Sequence, residues 1–401
     1  MAVYIILFLF LLALVLIDKG RNRSGLFRWA ALGVFLVLAL RNKNVGTDTV
    51  TYVACWNNTH FLYNGGKTDI GFETLLRFLR LFDSSNPYFF VCIAIIMMAG
   101  IIYFLEKNSK FRVDSMLFFC MCGTVFIFFL LYLAAMRQCV AMTFFLVGLS
   151  LYFEEGRTKK QLYVALGFLL AAVSIHGSSA IAIPVIFGLP YLHLNKKYGM
   201  ILIAVTYVIG SLGIFQLSSL LSMIKLAGSD MNKYSGYTAG EMTYGMTEES
   251  GIVNMFLLPF NLIVLYLIYF IKNEQLNTWT FKWLFVGTIL SNLMIDNLMW
   301  GRLLVYFTIV SIVVFPNYLR TVPFKYKNWV YLLVIVFFLR KVAVVLINAP
   351  ILAFMKNINT EVPYESWLFI VGGVISVAYL LNRVRLISVE HLKLRNLWCS
   401  C

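Results

Sequence analysis

Unbroken apolar runs long enough to cross a lipid bilayer constrain this chain more than any other feature. Runs of about 17 to 25 residues recur from Met1 to Leu381, and 61% of the 401 residues are hydrophobic while 13% are charged. Soluble domains carry about 25% charged residues, so a chain this apolar needs lipid as its solvent. Only helices and closed barrels satisfy the backbone inside a bilayer, and these runs lack the alternation of barrel strands. The sequence therefore predicts an all-α, polytopic helical membrane protein.

We predict about thirteen transmembrane helices in a single integral membrane domain, residues 1–401. The first run lacks a basic region before it and a small-residue cleavage site after it, so we interpret it as a membrane helix. The predicted spans are 2–17, 26–40, 87–105, 114–133, 138–153, 161–175, 178–193, 199–222, 253–271, 282–296, 303–319, 328–346 and 365–381.

The segment GFETLLRFLRLF, residues 71–82, is too short and too charged to cross the membrane. At helical spacing its phenylalanine and leucine side chains share one face, and two arginines lie beside the other. This pattern predicts an amphipathic helix at the membrane interface, within an outer loop formed by residues 41–86.

The distribution of Lys and Arg predicts the orientation of the chain, because short cytoplasmic loops carry an excess of both. If the first loop is cytoplasmic, alternation places most of the 33 basic residues, and nearly all of the net charge of +15, on that side. The segments concerned are 18–28, 106–113, 154–160, 194–198, 272–282, 320–327 and a cytoplasmic tail, 382–401. The N-terminus is thus predicted outside and the C-terminus inside. The positive charge then faces anionic lipid headgroups, and no nucleic acid is expected as a partner.

Ionisable residues embedded in apolar sequence all fall at the outer membrane level in this topology. They are Arg41, Asp48, Arg137, His176, Asp296, Arg302 and Arg340. Each costs roughly 2.5–3.5 kcal/mol when placed deep in a membrane helix, and a shared hydrated cavity lowers that cost. The alternative is that each arginine separately extends to the headgroups. Because guanidinium groups bind phosphate oxygens bidentately, a shared cavity favours an amphiphile with a phosphate headgroup as ligand.

Four stretches carry a further pattern, in order along the chain: RNKNVGTDTVTY (41–52), LAAMRQCVAMTFFLVGLSLY (133–152), SIHGSSAIAIPV (174–185) and GRLLVYFTIVSIVVFP (301–316). Together they resemble the EpsG/Wzy-like polysaccharide polymerases. The resemblance implies a GT-C-like architecture in the bacterial inner membrane, where the protein would join repeat oligosaccharides carried on undecaprenyl pyrophosphate at the outer face. The expected partners are this lipid-linked oligosaccharide, membrane lipids and a chain-length regulator protein. Neither a cofactor nor a metal is expected.

Glycosyl transfer of this kind needs cations for the departing diphosphate and a base for the acceptor hydroxyl. The predicted diphosphate-binding residues are Arg41, Arg137, Arg302 and Arg340, of which Arg137 is also assigned to catalysis. Asp48 is the first candidate for the base and His176 the second; Asp48 as a helix N-cap or as an ion-pair partner of Arg41 is the structural alternative. The predicted supporting residues are Tyr52, Gln138, Tyr306 and Asp296, the last as an ion-pair partner of Arg302.

One large extracytoplasmic loop, residues 223–252, exceeds the usual length of a structureless connection and is rich in Gly, Ser, Thr and Tyr, as expected for a lid or a sugar-contacting segment. Its residues Glu241, Glu248 and Glu249 are reserve candidates for the base. An O-antigen ligase, a membrane acyltransferase and a flippase or transporter remain as alternatives. A transporter should show internal repeats or helices broken at the midplane.

The predicted orientation is tested by cysteine labelling in intact cells. A Lys43→Cys variant, in the predicted outer loop, should react with a membrane-impermeant maleimide, whereas a Lys160→Cys variant should react only after permeabilisation. The reverse pattern would contradict the topology and with it the outward position of the proposed site.

Overall fold

A computed structural model describes residues 2–43, 45–46, 48–57, 69–123, 127–212, 249–294, 298–322, 328 and 330–338. Every regular element in these ranges is a helix, as the sequence predicted. The chain divides into two compact units. The first contains the described residues up to 121 and from 128 to 180, and the second contains those from 122 to 127 and from 181 onward.

The helices of the first unit follow the apolar runs of the sequence. They are α1 (Ala2–Asp18), α2 (Ser24–Ala39), α3 (Thr49–Asn57), α4 (Ile70–Arg80), α5 (Asn86–Asn108), α6 (Arg112–Met121), α7 (Phe128–Ala134), α8 (Met136–Tyr152) and α9 (Lys159–Ile175). Local sequence explains two of the starts. Ser85 accepts a hydrogen bond from the backbone N–H of Tyr88 at the head of α5, and Thr158 forms a capping box with Gln161 at the head of α9.

Small residues let the helices of this unit approach closely. Helix α5 packs against α2 and α8, and α8 packs in turn against α9. A Cβ atom placed on Gly100 of α5 would lie 2.1 Å from Cγ2 of Thr143 on α8. Where α8 meets α9, a Cβ on Gly148 would lie 2.9 Å from the Leu169 side chain. These contacts are the small-residue interfaces by which helices associate when lipid supplies no hydrophobic drive.

Within the first unit, contacts join predicted inner loops to one another and predicted outer loops to one another. Among the predicted inner loops, Arg112 donates a hydrogen bond from Nε to the side chain of Asn22, 2.8 Å away, and Lys107 pairs with Glu154 at 2.7 Å. The predicted outer loops meet one another instead, through residues described in the next section. Which of the two groups faces the cytoplasm stays a prediction.

Most of the second unit follows residue 180, which lies within a 3₁₀ turn, and it contains both helices and short helical turns. A 3₁₀ turn (Gly177–Ala182) leads into α10 (Ile183–Gly188) and a second 3₁₀ turn (Leu189–Tyr191), followed by α11 (Lys196–Ser211), α12 (Glu249–Phe270), α13 (Asn273–Leu276), α14 (Trp279–Leu293), α15 (Leu298–Thr308) and α16 (Ser311–Leu319). Residues 330–338 are also helical. Buried amides join three of these helices: Asn292 of α14 donates to Thr206 of α11 and exchanges hydrogen bonds with Asn261 of α12.

Three predicted spans differ from the structure. The span 114–133 is interrupted after Met121, and helix resumes at Phe128; Gly123, at φ +146°, adopts a conformation that other residues rarely take. The span 178–193 is a succession of 3₁₀ and α turns. The span 303–319 is two helices bent by 45° at a short break. A run of apolar residues does not reveal such breaks, because hydropathy averages over them.

Helix length supports fewer spans than the sequence predicted. Within the described ranges, Asn86–Asn108 has the length and hydropathy needed to cross a membrane, and the bent pair Gly301–Thr308 and Ser311–Leu319 has them if taken as one span. Other apolar helices, such as α1 and α2, are shorter than 18 residues. The number of about thirteen therefore stays a prediction. The span 365–381, most of the loop 223–252 and the tail 382–401 lie outside the described residues.

The close approach at Gly100 predicts a loss of stability when a methyl group is added there. We expect Gly100→Ala to cost about 1–3 kcal/mol, as other overpacked cores do, and to lower the Tm in detergent. Gly167→Ala on α9 is the matched control, because nothing lies within 4 Å of a Cβ at that position. An unchanged Tm for Gly100→Ala would contradict the packing of α5 on α8.

Candidate functional site

The carboxylate of Asp69 links two of the predicted site residues. Its Oδ2 atom lies 3.1 Å from Nδ1 of His176 and 3.4 Å from Nη1 of Arg137. Asp69 occupies the N-cap position of α4, yet its side chain makes no capping hydrogen bond there. The carboxylate therefore serves the cluster of Asp69, Arg137 and His176 and not its own helix. All three residues belong to the first unit.

Helix α4 brings Asp69 to His176 because a glycine allows close packing at its start. A Cβ on Gly71 would lie 2.3 Å from Oγ of Ser174 and 2.8 Å from the backbone N of Ile175, at the end of α9. His176 is the C-cap of α9, so the start of one helix meets the end of the other. Phe72 of α4 packs edge-on against Tyr52 of α3, with ring centroids 5.8 Å apart.

A break between α7 and α8 places Arg137 in the cluster. Ala135 leaves the helical conformation, at φ −96° and ψ 63°, and helix resumes at Met136. Arg137 therefore lies in the first turn of α8, where backbone N–H groups have no intrahelical partner. Its side chain is 29% exposed. Its Nε atom is buried and donates to no hydrogen-bond acceptor among the described residues.

The RNKNVGTDT stretch docks on this break through the carbonyl group of Leu133. Arg41 donates from Nη1 to the oxygen of Leu133 at 2.6 Å and to that of Tyr132 at 3.2 Å. The Thr49 hydroxyl donates to the carbonyl oxygen of Val45 at 2.6 Å and lies 3.3 Å from the same Leu133 oxygen. Gly46 has φ +99°, and a Cβ there would lie 2.2 Å from this oxygen. Three residues of one sequence motif thus converge on the end of α7.

Arg41 is an interior cation. It is 6% exposed, and its guanidinium carbon lies 5.3 Å from the centroid of the Phe90 ring. Burial lowers the pKa of Arg41 to about 10, while Tyr4, Cys139 and Tyr52 act in the opposite direction. The residue still carries its charge at neutral pH. Its Nε atom is buried without a hydrogen-bond partner in the described part of the chain.

Asp69 is held in its ionised form. Burial by itself would raise the pKa of this carboxyl group, but the hydrogen bond to His176 and the charge of Arg137 together outweigh it, so the pKa lies below its usual range. A carboxylate can only accept hydrogen bonds, so the Nδ1 atom of His176 carries the proton in this contact. With the proton on Nδ1, the lone pair of an uncharged imidazole is on Nε2, the atom that accepts a proton in general-base catalysis.

The structure brings together several of the predicted site residues. Arg41, Tyr52, Arg137 and His176 surround the α7–α8 break, and the predicted supporting residue Gln138 is buried beside Arg137 in α8. Asp48 lies half-buried in the turn before α3, where its carbonyl accepts from Tyr52.

The remaining predicted site residues belong to the second unit or lie outside the described residues. Arg302 and Tyr306 belong to the second unit, where the Tyr306 carbonyl accepts a hydrogen bond from Trp283. Asp296 and Arg340 lie outside the described residues, as do Glu241 and Glu248. In the ranges that the structure describes, no three His, Cys, Asp or Glu side chains are grouped as metal ligands.

Sequence reasoning missed Asp69. In the stretch TDIGFE an aspartate precedes an amphipathic helix, which is the usual pattern of an N-cap, and this reading assigns the carboxylate to its own helix. Gly71 is the available signal. A glycine in the first turn of a helix is unfavourable unless another backbone approaches it closely. Such an approach at Gly71 puts Asp69, at the start of the same helix, beside a neighbouring element.

The comparisons agree with the resemblance seen in the sequence. The model of the EpsG family matches residues 25–366, which include every described residue of the site. No curated protein and no solved structure matches the chain.

The position of Gly46 predicts that a larger residue there disrupts its close contact with the Leu133 carbonyl and loosens the α7–α8 break. Gly46→Ala places a side chain at positive φ and against the Leu133 carbonyl, at a cost of about 1–3 kcal/mol for the backbone conformation alone. We expect Arg137 to react faster with phenylglyoxal in this variant, as measured by mass spectrometry of its peptide. Gly25→Ala is the control, because a Cβ on Gly25 has no neighbour within 4 Å. Equal reactivity of Arg137 in both variants would contradict the proposed support of the break.

Proposed function

This chain belongs to the EpsG family, and on that basis we propose that it is a membrane-embedded polysaccharide polymerase that joins oligosaccharides carried on undecaprenyl pyrophosphate. The reaction would transfer the growing chain from its lipid carrier to a hydroxyl group of the next lipid-linked unit, at the outer face of the cytoplasmic membrane. Undecaprenyl pyrophosphate leaves in each cycle. Membership of the family supports a role in polysaccharide biosynthesis, and the apolar helices support a membrane location.

The observation that carries this proposal is the cluster of Asp69, Arg137 and His176. It offers a cation, Arg137, and a potential base, His176, and both side chains contact the same carboxylate oxygen of Asp69. A glycosyl transfer with a diphosphate leaving group needs those two functions on either side of one anomeric carbon. The geometry therefore matches the chemistry that the family implies.

Arg137 is proposed to stabilise the departing diphosphate. Negative charge grows on the leaving oxygen as the glycosidic carbon separates from it. A well-placed donor in a site shielded from water commonly contributes about 3–4 kcal/mol to the transition state of such a reaction. Arg137 lies at the N-terminal turn of α8, whose backbone dipole also favours negative charge. Its Nε atom, without an acceptor among the described residues, remains for a phosphate oxygen.

His176 is proposed as the base that takes the proton of the acceptor hydroxyl. Its Nδ1 atom is occupied by Asp69, which leaves Nε2 for the acceptor. From the sequence Asp48 was the first candidate for this role. The bond between Asp69 and His176 favours the histidine, because it fixes both the tautomer and the orientation of the ring, as in other carboxylate–histidine pairs.

Arg41 is proposed to support the site and not to bind the diphosphate directly. One of its terminal nitrogens already donates to the carbonyl groups of Tyr132 and Leu133. These buried carbonyls would lose their donor if Arg41 turned to a diphosphate. Arg302 and Arg340 stay sequence-based candidates for additional diphosphate ligands.

The proposed function is tested by reconstituting the purified protein in lipid nanodiscs with a lipid-linked repeat unit. A polymerase yields a ladder of longer products from this substrate alone. A ligase requires a separate lipid acceptor, and a flippase forms no new glycosidic bond. The absence of a ladder under conditions where the protein is folded and substrate is bound would overturn the proposal.

Replacement of Arg137 should abolish chain lengthening while the protein remains in the membrane. We expect Arg137→Ala to lower the rate of ladder formation by 10²-fold or more, the size of effect that loss of one transition-state donor produces. Arg137→Lys should recover little, because an ammonium group lacks the planar fork that binds phosphate. Arg77→Ala on α4, where the guanidinium pairs with Glu73 and is 47% exposed, is the matched control. Normal ladders from Arg137→Ala at equal expression would remove the assigned role.

A further inference from the structure

One oxygen atom of Asp69 serves two partners of different strength. The distance from Oδ2 to Nδ1 of His176, 3.1 Å, is that of a hydrogen bond, whereas the distance to Nη1 of Arg137, 3.4 Å, is that of a looser ion pair. The Arg137 side chain can therefore change partner more easily than the imidazole can. The negative charge of Asp69 is divided between a guanidinium group and a histidine.

A diphosphate would compete with Asp69 for Arg137. It carries more charge than a carboxylate and presents oxygen atoms that match the guanidinium fork. When Arg137 turns its charge toward the diphosphate, less of that charge offsets the Asp69 carboxylate. The carboxylate then stabilises a positive charge on the neighbouring imidazole more strongly, since the two groups are in direct contact and partly buried.

We propose that Asp69 is a positioning residue that couples the two catalytic groups, so that diphosphate binding at Arg137 strengthens His176 as a base. This inference rests on the proposed function and adds a carboxylate that the family resemblance did not supply. The acceptor hydroxyl would then be deprotonated efficiently only when a donor occupies the site.

The acceptor oxygen forms a bond with the anomeric carbon of the donor, and its proton moves to Nε2 of His176. The bond between that carbon and the diphosphate oxygen breaks, and its electron pair stays with the diphosphate, next to Arg137. Asp69 compensates the new positive charge on the imidazolium ring. The proton passes to solvent after the diphosphate has left.

The charged and titratable groups around His176 come from several elements. Arg137 approaches from α8 and the Tyr52 phenol from α3, and Asp48 acts on Tyr52 from the preceding turn. Burial raises the pKa of Tyr52 to about 12, so this phenol stays neutral in the range where the base titrates. Glu73, one turn further along α4, pairs with Arg77.

The first test compares Asp69→Asn with Asp69→Glu and with Glu73→Gln, a carboxylate-to-amide change on the same helix. Asparagine keeps a hydrogen-bond acceptor for His176 but removes the charge. We expect Asp69→Asn to slow ladder formation about 10²-fold at pH 7, within the range that general-base catalysis contributes. Asp69→Glu should restore part of the rate, and Glu73→Gln should behave as the wild type.

The pH dependence separates a coupling role from a merely structural one. Without the carboxylate charge the neutral imidazole is favoured, so the acidic limb of the pH–rate profile should move to lower pH in Asp69→Asn. A wild-type rate and profile for this variant would overturn the inference. A slower enzyme with an unmoved acidic limb would also overturn it, because a loss of structure alone does not shift the limb.

A second measurement does not depend on turnover. The rate at which diethyl pyrocarbonate modifies His176, followed by mass spectrometry across pH, reports the protonation of the ring. Addition of inorganic pyrophosphate should move the midpoint of this titration to higher pH, and the movement should be larger in the wild type than in Asp69→Asn. Equal movements would mean that the anion acts on the ring directly, which would overturn the coupling. If the wild type shows the coupling and yet makes no ladder, the proposed function fails and the inference about Asp69 stands.

Discussion

A helix that stops inside an apolar environment leaves carbonyl groups without partners, and the first unit of this protein is organised around that cost. Helix α7 ends at Ala134, and the carbonyl groups of Tyr132 and Leu133 have no water-filled surroundings to satisfy them. Arg41 supplies the missing donors from the end of another helix. An unpaired buried carbonyl costs roughly 1–3 kcal/mol, and the buried guanidinium group of Arg41 prevents this loss by donating to both carbonyls. It also determines the direction in which α8 restarts, and with it the position of Arg137.

A second constraint follows from the first. Two arginines near one break would repel each other and destabilise the unit unless negative charge lies nearby. Asp69 provides that charge, and it reaches Arg137 because Gly71 lets α4 meet the end of α9. The hydrogen bond from His176 and the charge of Arg137 in turn keep Asp69 ionised. The same electrostatic balance that makes the buried charges tolerable therefore builds an arrangement in which a histidine is oriented by a carboxylate.

The sequence predicted the parts of this structure that depend on composition and periodicity. It predicted most of the helices of the first unit, among them the amphipathic α4. The interfacial position of α4 and a common membrane level for Arg41, Arg137 and His176 stay predictions. It did not predict the interruption between Met121 and Phe128, because apolar residues continue through it. Nor did it identify Asp69, whose partners are 68 and 107 residues away along the chain (137 − 69 and 176 − 69). Hydropathy records what faces lipid, whereas ion pairs between distant segments depend on how the helices pack.

Arg41 and Arg137 show why two arginines beside one helix break need not have equal roles. Arg41 donates from one terminal nitrogen to two backbone carbonyls, and its guanidinium group lies over the ring of Phe90. Removing these contacts would leave the two buried carbonyls without a donor. A cation that completes the fold in this way is a poor choice for a reaction in which its partners must change. Arg137 has one long ion pair and an unbonded Nε among the described contacts, so exchanging Asp69 for a phosphate costs it little. The number of bonds already committed to the protein thus distinguishes a supporting guanidinium from one that can follow charge through a reaction.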